Sequence, residues 1–170
     1  MDNQKYYKIN TYGCQMNVHE SEKIAAILEG IEYNATNEDN LADVIVFNTC
    51  CIRDTAEKRV YGNVGALKPL KKVKNELIIA VVGCVTQQSG AAELLKKKFP
   101  FVDIILGTSN INELGAAVEN IRKEKSYVSV IDSTISLDNE LTVARTSFPN
   151  AWINIMYGCN NFCTYCIVPY

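Results

Sequence analysis

The chain has 170 residues, enough for one well-buried domain with a little left over, and its 48% apolar and 21% charged content is that of a folded protein rather than a disordered one. A net charge of −2 leaves no electrostatic footprint for nucleic acid. No apolar run approaches the roughly 20 residues of a membrane span, and residues 1–10 carry neither an apolar core segment nor a cleavage site. The expectation is therefore a cytoplasmic chain with no membrane partner. Seven cysteines, an odd number without a secretory signal, point to metal rather than to a disulfide scaffold.

Lys5 to Tyr12 predicts a short strand, after which Ile24, Ile27, Leu28 and Ile31 recur at helical spacing until Gly30 and Asn34 break the pattern. Val44 to Phe47 is a continuous apolar run of the buried-strand kind. Asp54 with Glu57 resembles a capping box, and Ala56, Val60, Val64 and Leu67 form the stripe of a helix that must stop by Pro69. Leu77 to Val82 predicts a strand, Ala91, Leu94, Leu95 and Phe99 a helix, Asp103 to Leu106 a strand, and Ile111, Leu114, Val118 and Ile121 a helix. Tyr127 to Ile131 is a candidate fifth strand. Such alternation, with nearly all-apolar strands, predicts an α/β fold: a parallel sheet with helices on both faces, of the flavodoxin or Rossmann kind. The lysine clusters at 68, 71, 72 and 74 and at 96, 97 and 98 fall at predicted helix ends, where cations suit the dipole.

Residues 132–150 are polar and aperiodic and read as a linker. Residues 1–131 then form the first domain, and 151–170 the start of a second that the chain does not complete. Ala151 to Met156 has strand character and delivers Cys159, Cys163 and Cys166 in the spacing Cys-x3-Cys-x2-Cys. Three thiolates in eight residues can hold three corners of a four-iron cluster and leave one iron open to a substrate. A structural zinc site is the alternative. It wants a fourth ligand, and the single histidine, His19, is remote in sequence.

Cys14, Cys50 and Cys84 follow the first three predicted strands, at intervals of 36 and 34 residues. Residues just past the carboxyl ends of parallel strands converge on one edge, so three isolated cysteines become one candidate site, again with three thiolates; the alternative is three buried core cysteines. Gly13 and Gly83 allow tight turns and close approach of the backbone to a bulky ligand. Neighbouring residues in a chain point in different directions, so Cys51, beside Cys50, is expected to be a spare thiol rather than a ligand.

The segments Thr11-Tyr-Gly-Cys-Gln-Met-Asn17, Asn48-Thr-Cys-Cys-Ile-Arg-Asp-Thr-Ala-Glu57, Gly83-Cys84 and Gly158-Cys-Asn-Asn-Phe-Cys-Thr-Tyr-Cys-Ile-Val-Pro-Tyr170 together resemble the radical S-adenosylmethionine methylthiotransferase family. Within it they most resemble the branch that adds a methylthio group to carbon 2 of an isopentenylated adenosine beside the anticodon of tRNA. The branches acting on threonylcarbamoyl-adenosine or on a ribosomal protein are the alternatives inside the family, and a non-catalytic iron-sulfur or zinc-binding module the one outside it. The resemblance implies two 4Fe–4S clusters and S-adenosylmethionine as cofactors. One cluster, on Cys159, Cys163 and Cys166, generates a 5′-deoxyadenosyl radical, and Tyr165 matches the aromatic residue usual beside that cofactor site. The other, an auxiliary cluster on Cys14, Cys50 and Cys84, supplies sulfur.

No side chain is implied to be catalytic by itself, because the cofactors carry the hard step. Arg53, Asp54 and Glu57 stand beside the auxiliary site, either to orient it or simply as a helix start and its ion pairs. Family members also carry a complete radical barrel and a small RNA-binding domain. The resemblance therefore implies an amino-terminal fragment, inactive alone and monomeric, of an enzyme that takes tRNA and an external electron donor as partners.

Overall fold

The computed structural model describes residues 4–50, 54–121, 126–130, 143–145, 148–153, 155–156, 158–166 and 168, and the side chains of residues 54–57 are not included. Six strands form one parallel sheet: β1 Lys5–Thr11, β2 Tyr33–Ala35, β3 Val44–Thr49, β4 Ile78–Gly83, β5 Ile104–Leu106 and β6 Tyr127–Ser129. The order across the sheet is β2-β1-β3-β4-β5-β6. The helices between them are α1 Gln15–Gly30, α2 Asp54–Ala66, α3 Lys68–Val73, α4 Cys84–Gln87, α5 Ala91–Lys98 and, after a 3-10 turn at Thr108–Glu113, α6 Leu114–Asn120.

All six residues of β3 and all six of β4 are buried, because helices cover both faces of the sheet. Alternate strand residues serve alternate cores. Val44, Val46, Ala80, Val82 and Leu106 pack with Ile24 and Leu28 of α1 and with Leu114 and Val118 of α6. Ile45, Phe47, Ile79, Val81 and Ile105 pack with Val60 and Val64 of α2 and with Ala92 and Leu95 of α5.

Four details differ from the sequence-based expectations. The sheet gains β2, a three-residue edge strand in which only Tyr33 is buried, too short for a period to register. Pro69 does end α2, but it also opens α3, where its missing N–H costs nothing in the first turn. On α5 the buried stripe runs through Ala92, Leu95 and Phe99, whereas Leu94 faces solvent at 67% exposure. Residues 151–153, 155 and 156 are not a strand, since they pair with no neighbour among the described residues. Most of residues 132–150 lies outside the described residues; of the rest, Ala144 donates its N–H to the Glu22 carbonyl of α1 at 3.1 Å.

Candidate metal centre

The strand order reverses direction between β1 and β3, which makes the carboxyl ends of these two strands the topological switch point, the usual ligand crevice of an open α/β sheet. Cys14 lies just past β1 and Cys50 just past β3. Thr11 is paired with Asn48, and Thr49 with Gly83. Extending the first register by two residues sets Cys50 beside Gly13, and extending the second by one sets it beside Cys84, with neighbouring chains about 4.8 Å apart. The sheet thus brings the backbones of all three cysteines to one edge.

Two glycines make this approach possible. Gly13 has φ +129°, and a β-carbon there would stand 2.5 Å from Cys50 Cβ and 2.9 Å from Cys50 Sγ. Gly83 has φ +107°, and a β-carbon there would stand 2.5 Å from the Thr49 carbonyl. Neither contact is tolerable, so a side chain at either position would push the cysteine-bearing turns apart.

Cys50 is buried at 2% exposure, while Cys14 and Cys84 are half-buried and reach the surface of the crevice. Cys14 occupies the N-cap of α1, where the positive end of a 16-residue helix favours a negatively charged occupant. Its thiol lies 3.6 Å from Asn17 Oδ1, which also accepts the Cys14 backbone N–H at 3.3 Å. Cys84 is the first residue of α4. Its turn is held by the Thr86 hydroxyl, 2.7 Å from the Gly83 carbonyl and 2.5 Å from the Leu106 carbonyl, and by Gln87 Oε1, which accepts the Thr108 N–H at 3.0 Å.

No group of three His, Cys, Asp or Glu side chains among the described residues is gathered as tightly as a single metal ion requires. A four-iron cluster takes its thiolates farther apart than the ligands of one ion, so three thiols on adjacent chain ends need not be gathered that tightly to hold one. His19 does not offer a fourth ligand for zinc. It is buried on α1 with Nδ1 3.8 Å from Glu22 Oε2. Cys51 and Arg53 lie outside the described residues, as do the side chains of Asp54 and Glu57.

The second trio stands in different surroundings. Cys166 donates its N–H to the Cys163 carbonyl at 3.0 Å, so these two cysteines share a tight turn. Gly158 and Phe162 both have positive φ, at +70° and +43°, which turns the chain sharply just before Cys159 and Cys163. Cys163 is exposed, Cys159 and Cys166 are half-buried, and the Tyr165 ring is 91% exposed.

The lysine clusters lie at the opposite edge, where β4 and β5 begin. Lys71 binds the Asp103 carboxylate at 2.8 Å, Lys74 the Ala42 carbonyl at 2.7 Å and Lys96 the Val102 carbonyl at 2.5 Å. Lys71 and Lys96 stand in the last turns of α3 and α5. Their work is to close helix ends and strand entrances, as expected of cations in last turns.

The polar residues packed behind the crevice were not visible from the sequence as a group. Asn17, Asn48 and Thr49 stand in the segments quoted above, but only the register of β1 and β3 brings them together.

Comparison with known proteins gives a consistent result. Residues 6–107 match the family model described as "Uncharacterized protein family UPF0004". Among curated proteins, the tRNA-2-methylthio-N(6)-dimethylallyladenosine synthase of Clostridium tetani is 51% identical over 163 residues, covering 95% of this chain and 36% of the relative. The proteins of the same name from Thermoanaerobacter sp. and Desulforamulus reducens are 48% and 45% identical, covering 97% and 100% of this chain. The chain thus spans little more than a third of the length of these relatives, 35% and 38% in the last two cases.

Proposed function

Since this chain belongs to the UPF0004 family and is 45–51% identical to tRNA-2-methylthio-N(6)-dimethylallyladenosine synthases over nearly its whole length, we propose that it forms the amino-terminal part of a tRNA methylthiotransferase. The reaction is addition of a methylthio group to carbon 2 of an isopentenylated adenosine beside the anticodon. The observation that carries this reading is the convergence of Cys14, Cys50 and Cys84 on the switch-point edge, which gives the sequence likeness a site. Residues 1–131 make the domain that holds the auxiliary site, 132–150 a linker, and 151–170 the opening segment of the radical S-adenosylmethionine domain.

In this reading Cys14, Cys50 and Cys84 hold one 4Fe–4S cluster, and Cys159, Cys163 and Cys166 hold the other. Tyr165 borders S-adenosylmethionine. When bound, these groups supply the electron that cleaves S-adenosylmethionine and the sulfur that is inserted; an aromatic C–H is too weakly acidic for side-chain bases alone. The protein's own part is placement. The rigid sheet edge fixes one trio, the tight turn at 163–166 gathers the other, and the adenine must come between them. The enzyme draws electrons from an external donor and works as a monomer in the cytoplasm. No described helix is long and apolar enough to cross a membrane.

Anaerobic reconstitution of the full chain with iron and sulfide tests the two-site reading. About eight irons per chain are expected, and Cys14→Ala, Cys50→Ala and Cys84→Ala together should remove about half. Stoichiometric zinc without visible absorption would instead support a structural metal module. Assay of a full-length protein that carries this segment, on isopentenylated and unmodified tRNA, then tests the substrate, with methylthio product expected only from the former.

A further inference from the structure

Two buried side-chain amides behind the first cysteine trio have no part in the reaction as described. Asn17 and Asn48 are 4% and 1% exposed. Asn17 Nδ2 donates to Asn48 Oδ1 at 3.1 Å and to the Thr49 carbonyl at 3.0 Å. Asn48 Nδ2 donates back to the Asn17 carbonyl at 2.8 Å and to Ser21 Oγ at 2.9 Å. Asn17 Oδ1 accepts the Cys14 N–H at 3.3 Å.

The atoms chosen are informative. The Thr49 carbonyl belongs to the peptide that leads into Cys50, and the Cys14 N–H to the peptide that leads into Cys14. One amide therefore grips both ligand-bearing peptides, its oxygen on one and its nitrogen on the other. Thr49 extends the chain of contacts, since its hydroxyl donates to the Val82 carbonyl at 2.7 Å, two residues before Cys84. The contact of the Cys14 thiol with Asn17 Oδ1 is of another kind, because a ligating sulfur has no proton to donate. The bonds that can persist in a loaded site are those to backbone.

We propose that Asn17, seated by Asn48, is the positioning residue of this site: it fixes the Cys14 and Cys50 peptides relative to each other, so that two of the three sulfurs are in place before iron arrives. The inference rests on the reading that Cys14, Cys50 and Cys84 are cluster ligands. Groups that orient metal ligands without touching the metal typically change affinity by about 10–100-fold when removed.

The test uses the full chain with Cys159, Cys163 and Cys166 replaced by Ala, so that iron reports on the first site alone. Iron affinity is read by anaerobic chelator competition and the cluster by its electron paramagnetic resonance spectrum. Folding is followed by far-ultraviolet circular dichroism. Asn17→Ala should weaken iron binding by about 10–100-fold. Asn17→Asp keeps the acceptor for Cys14 but loses both donors, and should do the same. Ser21→Ala removes one hydrogen bond from Asn48 without touching either ligand peptide; it should lower the melting temperature and leave iron affinity and spectrum unchanged.

Wild-type affinity in a folded Asn17→Ala protein would overturn the proposal. So would a loss in Ser21→Ala equal to that in Asn17→Ala, since general loosening would then explain both. If Asn17→Ala does not fold, Asn48→Ala carries the same expectation, because it removes the seat while leaving the grip. Absence of iron from the background protein before any asparagine is changed would instead refute the ligand assignment, and the inference with it.

Discussion

Gly13 shows how narrow the tolerance is at the crevice. Its φ of +129° is one that side chains rarely adopt, and the space a β-carbon would need is already filled by Cys50. Strain of this sort costs about 1–3 kcal/mol, so Gly13→Ala should lower the melting temperature by several degrees and weaken iron binding at the first trio. Gly62→Ala is the matched control. It lies within α2 with nothing within 4 Å of the new carbon, and should stabilise by about 0.5–1 kcal/mol through helix propensity. Denaturant melts of the two variants should move in opposite directions; a shared direction would refute the steric account.

His19 makes a second residue-level prediction. Burial is the largest cause holding its imidazolium below the ordinary pKa of 6.5; Lys23 and Arg145 add repulsion, and Glu20 and Glu22 oppose them. A depressed histidine pKa means that the unfolded chain binds the proton more readily than the folded one. The stability contributed by neutral His19 is therefore fully present above pH 6.5 and is lost as pH falls through the window between 6.5 and the lower folded value. Melting temperatures measured across that window should slope less steeply for His19→Gln than for the unaltered protein. Equal slopes would show that other groups carry the dependence.

At the scale of elements, β3 and β4 were legible in sequence because their apolar runs are continuous, and their burial on both faces is what such runs mean in a parallel sheet. α2 was legible from the stripe through Val60 and Val64, both fully buried. β2 was not, since one buried tyrosine in three residues carries no period. Nor was α4, a single turn whose start is set by Gly83 and whose hold comes from Thr86 and Gln87 reaching toward β5. The three cysteines after β1, β3 and β4 could be placed at one edge from chain order alone. Their spacing could not, because it depends on the β1–β3 register and on the asparagine pair that only this register brings into contact. The tie from Lys71 to Asp103, whose carboxylate also accepts the Ile79 N–H at 2.8 Å, was hidden for the same reason: charge clusters are visible in sequence, but their partners are not.

At the scale of the whole molecule, the two cysteine trios differ in what surrounds them, and this should govern how firmly each holds iron. The first lies on a sheet edge where Cys50 is 2% exposed and the neighbouring turns are tied by buried hydrogen bonds. The second belongs to a segment in which Phe148, Ile155 and Tyr165 are 97%, 94% and 91% exposed and Cys163 faces solvent. With Cys163 exposed, water, oxygen and chelators have a direct path to that thiol. In the 170-residue chain, iron bound by Cys159, Cys163 and Cys166 should thus be stripped several-fold faster than iron bound by Cys14, Cys50 and Cys84. Two triple alanine variants, each retaining one trio, give the rates separately when a chelator is added after anaerobic reconstitution. Equal rates would mean that burial of the ligands does not set retention, and slower loss from the second trio would reverse the assignment of the sheet edge as the more rigid site.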